Sequence, residues 1–184
     1  MNALVIIVII VVLVVGYVVL AYNGLVRRRN NVDNSWSQID VQLKRRLDLI
    51  PNLVETVKGY VAHERGTLEA VITARNSAMA APATPAAQAV ADNAITSALR
   101  QLFALSEAYP DLKANQGFIS LQEELSNTES RIAYARQFYG DSVAGYNTAI
   151  QKFPGVVIAR MFNFTAREFF EVEESGRIAP QVKF

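Results

Sequence analysis

Residues 36–54 read Trp36-Ser37-Gln38-Ile39-Asp40-Val41-Gln42-Leu43-Lys44-Arg45-Arg46-Leu47-Asp48-Leu49-Ile50-Pro51-Asn52-Leu53-Val54. Apolar and aromatic positions in and around this stretch recur at Val32, Trp36, Ile39, Leu43, Leu47, Ile50, Leu53, Val54, Val57, Tyr60 and Val61. The steps are threes and fours, so the stripe lies on one face of a helix. Pro51 falls inside it, where a proline removes a backbone hydrogen bond and costs about 3 kcal/mol. The stripe keeps its phase across Pro51. That predicts one long kinked helix, continuing past His63 to about Ala78 through Leu68, Val71 and Ile72. Lys44, Arg45, Arg46, Asp48, Glu55 and Lys58 fall between the stripe positions and read as a solvated face.

Upstream, Ala3 to Ala21 is a run of nineteen residues without a charge. As a helix it measures about 30 Å, the thickness of a bilayer core. A cleaved signal peptide is the rival reading, but the basic leading region is missing and the apolar run exceeds the usual 7–15 residues. Arg27, Arg28 and Arg29 follow the run as a stop-transfer flank would, with Tyr17 and Tyr22 suited to the interface. The expectation is a membrane anchor over residues 1–26. No basic residue precedes the run and six follow at 27–29 and 44–46, so the positive-inside rule puts the N-terminus outside and the large domain in the cytoplasm. Arg27, Arg28 and Arg29 are also candidate contacts for anionic lipid headgroups, worth about 1 kcal/mol each.

Downstream, Pro82 and Pro85 mark a turn, and a second helix is predicted over about 86–108, ended by Tyr109-Pro110. A third runs over about 118–152, with Phe118, Leu121, Leu125, Thr128, Ile132, Ala135, Tyr139, Ser142, Tyr146, Ile150 and Phe153 in coiled-coil-like steps. Pro154 and Gly155 close it. A fourth, shorter helix is expected over about 156–174. Phe162, Phe164, Phe169 and Phe170 cluster there, either capping the core or forming a contact patch for another subunit. Residues 175–184 read as a tail, pinned by Val182 and Phe184. The fold class expected is all-α: a transmembrane helix continuing into an antiparallel four-helix bundle over residues 27–174, with a long kinked first helix.

The 184 residues carry 18 Lys plus Arg against 17 Asp plus Glu, so no global field attracts nucleic acid. With no cysteine, disulfides, thiol nucleophiles and a lipoprotein attachment are excluded. His63 is the one histidine. His63-Glu64 opens a metalloprotease-like pattern, but the second histidine position is Thr67. There is neither a glycine-rich phosphate loop nor a Gly-x-Ser-x-Gly elbow. The residues therefore nominate no catalytic, cofactor or metal site, and a non-enzyme is expected. Asn52 is placed to satisfy carbonyls freed by Pro51, and Asn115 to cap the third helix.

The chain closely resembles the LemA family of bacterial membrane proteins. The resemblance rests on Tyr22-Asn23-x-Leu25-Val26, the run from Trp36 to Arg46, Asp48-Leu49-Ile50-Pro51-Asn52-Leu53-Val54 and Tyr109-Pro110-Asp111-Leu112-Lys113-Ala114-Asn115. Leu121-Gln122-Glu123-Glu124-Leu125, Thr128-Glu129-x-Arg131-Ile132, Tyr146-Asn147 and Phe153-Pro154 add to it. Gly140 departs from the family's Asn. The resemblance implies a single-pass anchor in the bacterial inner membrane and a helical-bundle domain, and implies no particular biochemical activity.

Three functions compete on these grounds. The first is a membrane-anchored scaffold that binds itself or other envelope proteins. The second is an anionic-lipid binder or membrane remodeller using Arg27–Arg29 and Lys44–Arg46. The third is an enzyme or small-molecule sensor with a polar cavity among the helices. The scaffold reading is preferred, with membrane lipid, further copies of the chain and envelope proteins as its partners.

Overall fold

Stripes with helical period fold as helices here throughout. The computed structural model describes residues 3–61 and 64–170, and among these the regular elements are all α-helical. They are α1 (Ala3–Lys58), α2 (Arg65–Ala80), α3 (Pro85–Ser106), α4 (Pro110–Lys113), α5 (Gln116–Gln151) and α6 (Gly155–Met161). The described residues form two compact units, one of residues 3–44 and 127–169, the other of residues 45–61, 64–126 and 170. The predicted tail, residues 175–184, and His63 lie outside the described residues.

In the first unit, α1 and α5 pair antiparallel. The Trp36 ring lies 5.7 Å from that of Tyr139, and the Arg28 guanidinium reaches over Gly145, 3.8 Å from where a Cβ would sit. The contact is built on sevens: Leu25, Val32 and Ile39 on α1, with Ile132, Tyr139 and Tyr146 on α5, all buried. Ser35 is fully buried among them, and its hydroxyl donates to the Val32 carbonyl at 2.8 Å, which removes the penalty of an unpaired polar group. The first part of α1 is long and apolar enough to cross a membrane, and its side chains are bare.

The expected fourth helix is corrected: α6 stops at Met161. Asn163 takes a left-handed φ of 55°. The Phe164 amide donates to the Ala159 carbonyl at 2.9 Å, the six-to-one bond of a Schellman stop with asparagine in the position usually held by glycine. Phe164 folds back with Ile158 and Ala159, all three buried. Residues 162–169 continue as a non-helical strap over α5. Tyr146 Oη donates to the Thr165 carbonyl at 2.9 Å and Tyr139 Oη to the Glu168 carbonyl at 2.8 Å. The Asn147 side-chain amide both donates to and accepts from the Arg167 backbone, each at 2.9 Å. Arg167 Nη2 pairs with Asp33 Oδ1 of α1 at 2.7 Å.

In the second unit, four helical segments surround one apolar core, so the expected bundle is present with different members. The core takes Ile50, Leu53, Val54 and Val57 from α1, Leu68, Val71 and Ala78 from α2, Ile95, Ala98, Leu99 and Leu102 from α3, and Phe118 and Leu125 from α5. Leu112 of the single-turn α4 closes it. The predicted run to Ala78 is corrected: α1 ends at Lys58, before Gly59, and α2 starts afresh at Arg65. The stripe keeps its phase because Val57, Val61, Leu68 and Val71 all enter the same core; periodicity does not distinguish one helix from two that share a core. The α2–α3 connection follows the prolines, with Thr84 Oγ1 accepting from the Ala87 amide at 3.4 Å and Pro85 opening α3. Asn115 caps α5, its Oδ1 accepting from the Phe118 amide at 3.0 Å while its Nδ2 donates to Tyr60 Oη at 3.0 Å.

Candidate interaction site

Helix α1 carries its apolar run straight into a charged turn at Arg27, Arg28 and Arg29, all exposed. The strap meets it there. Phe162 sits 4.8 Å from the Tyr22 ring and Phe164 approaches the same ring edge-on at 5.7 Å. The Arg29 guanidinium lies over the Phe164 ring at 5.3 Å, a cation–π contact. So Phe162 and Phe164 converge on Tyr22, and Arg29 covers Phe164. Phe164 is buried, Phe162 and Phe169 are exposed and Phe170 is half-buried. Phe169 stands at the opposite end of the strap from Phe162.

A second feature of the first unit lies between α1 and α5. Gln38, Val41 and Gln42 face Arg131, Tyr134 and Phe138 across an open groove of about 540 Å³. Val41, Tyr134 and Phe138 expose more than half their surface, unusual for three neighbouring apolar groups. Gln42 Oε1 is buried and meets no donor among the described residues. The lining is mostly apolar, with the Gln38 and Gln42 amides and the Arg131 guanidinium among it, and offers contact rather than acid–base chemistry. Tyr134 and Phe138 stand four apart and off the α5 stripe, a sequence signal that stripe reading passes over. Among the described residues no group of three or more His, Asp or Glu gathers closely enough to hold a metal ion.

Of the basic run after residue 43, Lys44 and Arg45 lie on the solvated face expected of them and Arg46 does not. Lys44 bonds Asp40 at 2.7 Å and Arg45 bonds Glu124 at 2.6 Å, both near the surface. Arg46 is buried in the second unit: its Nη1 lies 2.8 Å from Asp92 Oδ1 and 3.0 Å from Thr96 Oγ1 of α3. Both side chains of the ion pair are 3% exposed, so Arg46 joins helices and is out of reach of lipid. Nothing local distinguishes it from Lys44 and Arg45, and the match to Asp92 requires the packed bundle.

Two phenols anchor the strap. Burial raises the pKa of Tyr139, with the charges of Glu168 and Asp33 adding to the rise and Arg167 opposing it. Burial likewise raises Tyr146, against the pull of Arg167 and Arg29. Both remain neutral donors near neutral pH, as bonds to backbone carbonyls require.

Residues 35–184 match the sequence model of the LemA family. Magnetosome protein MamQ of Magnetospirillum gryphiswaldense is 25% identical over 191 residues, covering 89% of this chain and 70% of that protein. Magnetosome protein MamQ 2 of Paramagnetospirillum magneticum is 25% identical over 207 residues, covering 97% of this chain and 76% of its own length. Protein LemA of Metamycoplasma hominis is 24% identical over 156 residues, covering 85% and 71%. The family match spans most of the chain and takes in both units of the fold: the chain belongs to the LemA family.

Proposed function

We propose that this LemA-family chain is a non-enzymatic membrane scaffold. Its apolar run anchors it in the bacterial inner membrane with the N-terminus outside, and its helical units associate with further copies or with envelope proteins on the cytoplasmic side. The observation that carries this reading is the unbroken α1 of the first unit, which takes the apolar run directly into the helix that pairs with α5. A helical junction transmits orientation, where a flexible linker would lose it. The bare apolar trio Val41, Tyr134 and Phe138 supplies a surface for a second copy. The names of the relatives refer to a cellular body and to a family, and neither name denotes a reaction.

Mass photometry and particle imaging of the full-length protein in native-membrane nanodiscs test the assembly. A discrete multimer that Tyr134→Glu disperses is the expected result; monomers in both nanodiscs and native membrane extracts end the self-assembly reading. Membrane remodelling through Lys44–Arg46 is disfavoured, because Arg46 is buried and Arg45 holds Glu124.

A further inference from the structure

The α5–α6 corner carries three bare apolar side chains outside the apolar run. Phe153 is 83% exposed, Met161 65% and Val157 46%. Val157 and Met161 stand four apart on one face of α6, and Phe153 precedes it in the corner. The corner's shape is tightly set. A Cβ at Gly155 would collide with the Ala149 carbonyl, so only glycine lets α6 fold back this closely on α5.

Two independent relationships within the first unit locate this corner along α1. Arg28 lies opposite Gly145 in the antiparallel pair. Six residues toward the apolar run from each, about 9 Å along both helices, are Tyr22 and Gln151, and Gln151 is the last residue of α5. The far end of α6 arrives at the same level, because Phe162 stacks on Tyr22. Both ends of α6 are therefore level with the residue that directly follows the apolar run. A helix of seven residues, about 10 Å long, with both ends at one level lies across α1 rather than along it.

We propose that α6 and the corner before it form a second membrane contact, with Phe153, Val157 and Met161 seated in the headgroup–acyl boundary of the bilayer that α1 spans. The contact rests on the membrane-anchor reading above. Charge favours a lipid surface over a protein partner. Lys152 and Arg160 flank the apolar face and Arg27, Arg28 and Arg29 follow within about 11 Å of that level along α1, whereas residues 3–32 and 142–167 contain no Asp or Glu. Apolar side chains ringed by basic ones alone are what an interfacial segment on an anionic bilayer carries. The bilayer then removes from water side chains that the protein leaves bare, and α6 holds the α1–α5 pair at a set angle to the membrane.

The chain has no cysteine, so each introduced one is the sole labelling site. Nitroxide labels at Phe153→Cys, Val157→Cys and Met161→Cys, in full-length protein in nanodiscs of mixed phosphatidylcholine and phosphatidylglycerol, report depth through collision with oxygen and with a water-soluble nickel chelate. Leu13→Cys marks the apolar run, and Gln137→Cys marks exposed surface about 20 Å further along α5. The expected result is high oxygen and low nickel accessibility at positions 153, 157 and 161, shifted from Gln137→Cys toward Leu13→Cys. Nickel accessibility at the three sites equal to that at Gln137→Cys, with Leu13→Cys in lipid, overturns the second contact and leaves the anchor standing. Leu13→Cys exposed to nickel overturns both. Spin–spin broadening between copies at Val157→Cys or Met161→Cys shows a second copy covering the face, and overturns the lipid contact.

Discussion

Arg75 Nε donates to the Leu47 carbonyl at 3.0 Å, and Leu47 lies four residues before Pro51. That carbonyl would normally accept from the amide of residue 51, which proline lacks. A side chain of α2 thus supplies the donor that α1 cannot. Asn52, the sequence-based candidate for this work, is exposed.

Arg75→Ala should destabilise the second unit by about 1–3 kcal/mol, the cost of leaving a half-buried carbonyl unpaired. In a Pro51→Ala background, where an amide is restored at position 51, the same substitution should cost much less. Thermal or urea unfolding of the four full-length proteins of this cycle in detergent measures the coupling. Equal costs in both backgrounds would show that Arg75 acts independently of Pro51.

The Arg46–Asp92 pair should be unforgiving of single changes. Asp92→Ala leaves a buried guanidinium without its carboxylate and is expected to destabilise by about 3–5 kcal/mol. Replacing both partners by apolar groups of similar volume, Arg46→Met with Asp92→Leu, should recover most of that loss. A double variant as unstable as Asp92→Ala would mean that the pair is needed for more than mutual compensation.

The strap should open before the helices do. Asn147→Ala removes two hydrogen bonds to the Arg167 backbone, about 1 kcal/mol each for bonds at the surface. Hydrogen exchange should accelerate at the Arg167 amide and along residues 164–168, with the α1–α5 amides protected as before. Acceleration spread evenly over α5 would show that the strap and helix open together.

Alkali should weaken the first unit. The folded pKa of Tyr139 and of Tyr146 lies above the ordinary 10.0, so the unfolded chain ionises first. Their contribution is whole below about pH 10 and is lost as pH rises through the folded values. Tyr146→Phe should lower stability by about 1 kcal/mol at neutral pH through the lost bond to Thr165, and should flatten the alkaline fall. A fall of unchanged steepness in Tyr146→Phe would assign it to other groups.

Much of the local structure was legible in advance. Pro85 and Ser106 bound α3 within two residues of the spacing-based prediction, α5 matches its stripe from Phe118 to Gln151, and Asn115 caps α5 as its position suggested. The misreadings share one cause. The break at Gly59 was hidden because two helices on one core keep a common phase, and the stop at Asn163 was hidden because asparagine enters the left-handed region only when its surroundings reward the turn. Phe162 and Phe164 were recognised as a cluster, yet their contacts with Tyr22 join residues about 140 positions apart.

The amino-acid order alone determined the helical class, the apolar run of α1, most helix ends and the absence of cysteine chemistry. Those properties follow from backbone period, side-chain hydropathy and the restricted torsions of proline, which act over a few residues. Tertiary structure alone decided that Arg46 is buried while Arg45 is not, that Arg75 serves the Leu47 carbonyl, that residues 162–169 form a strap, and that α6 lies level with Tyr22. Each of these depends on which distant group lies opposite. A guanidinium is stable in a core only where a carboxylate awaits it, and a phenol gives up water only where a carbonyl replaces it.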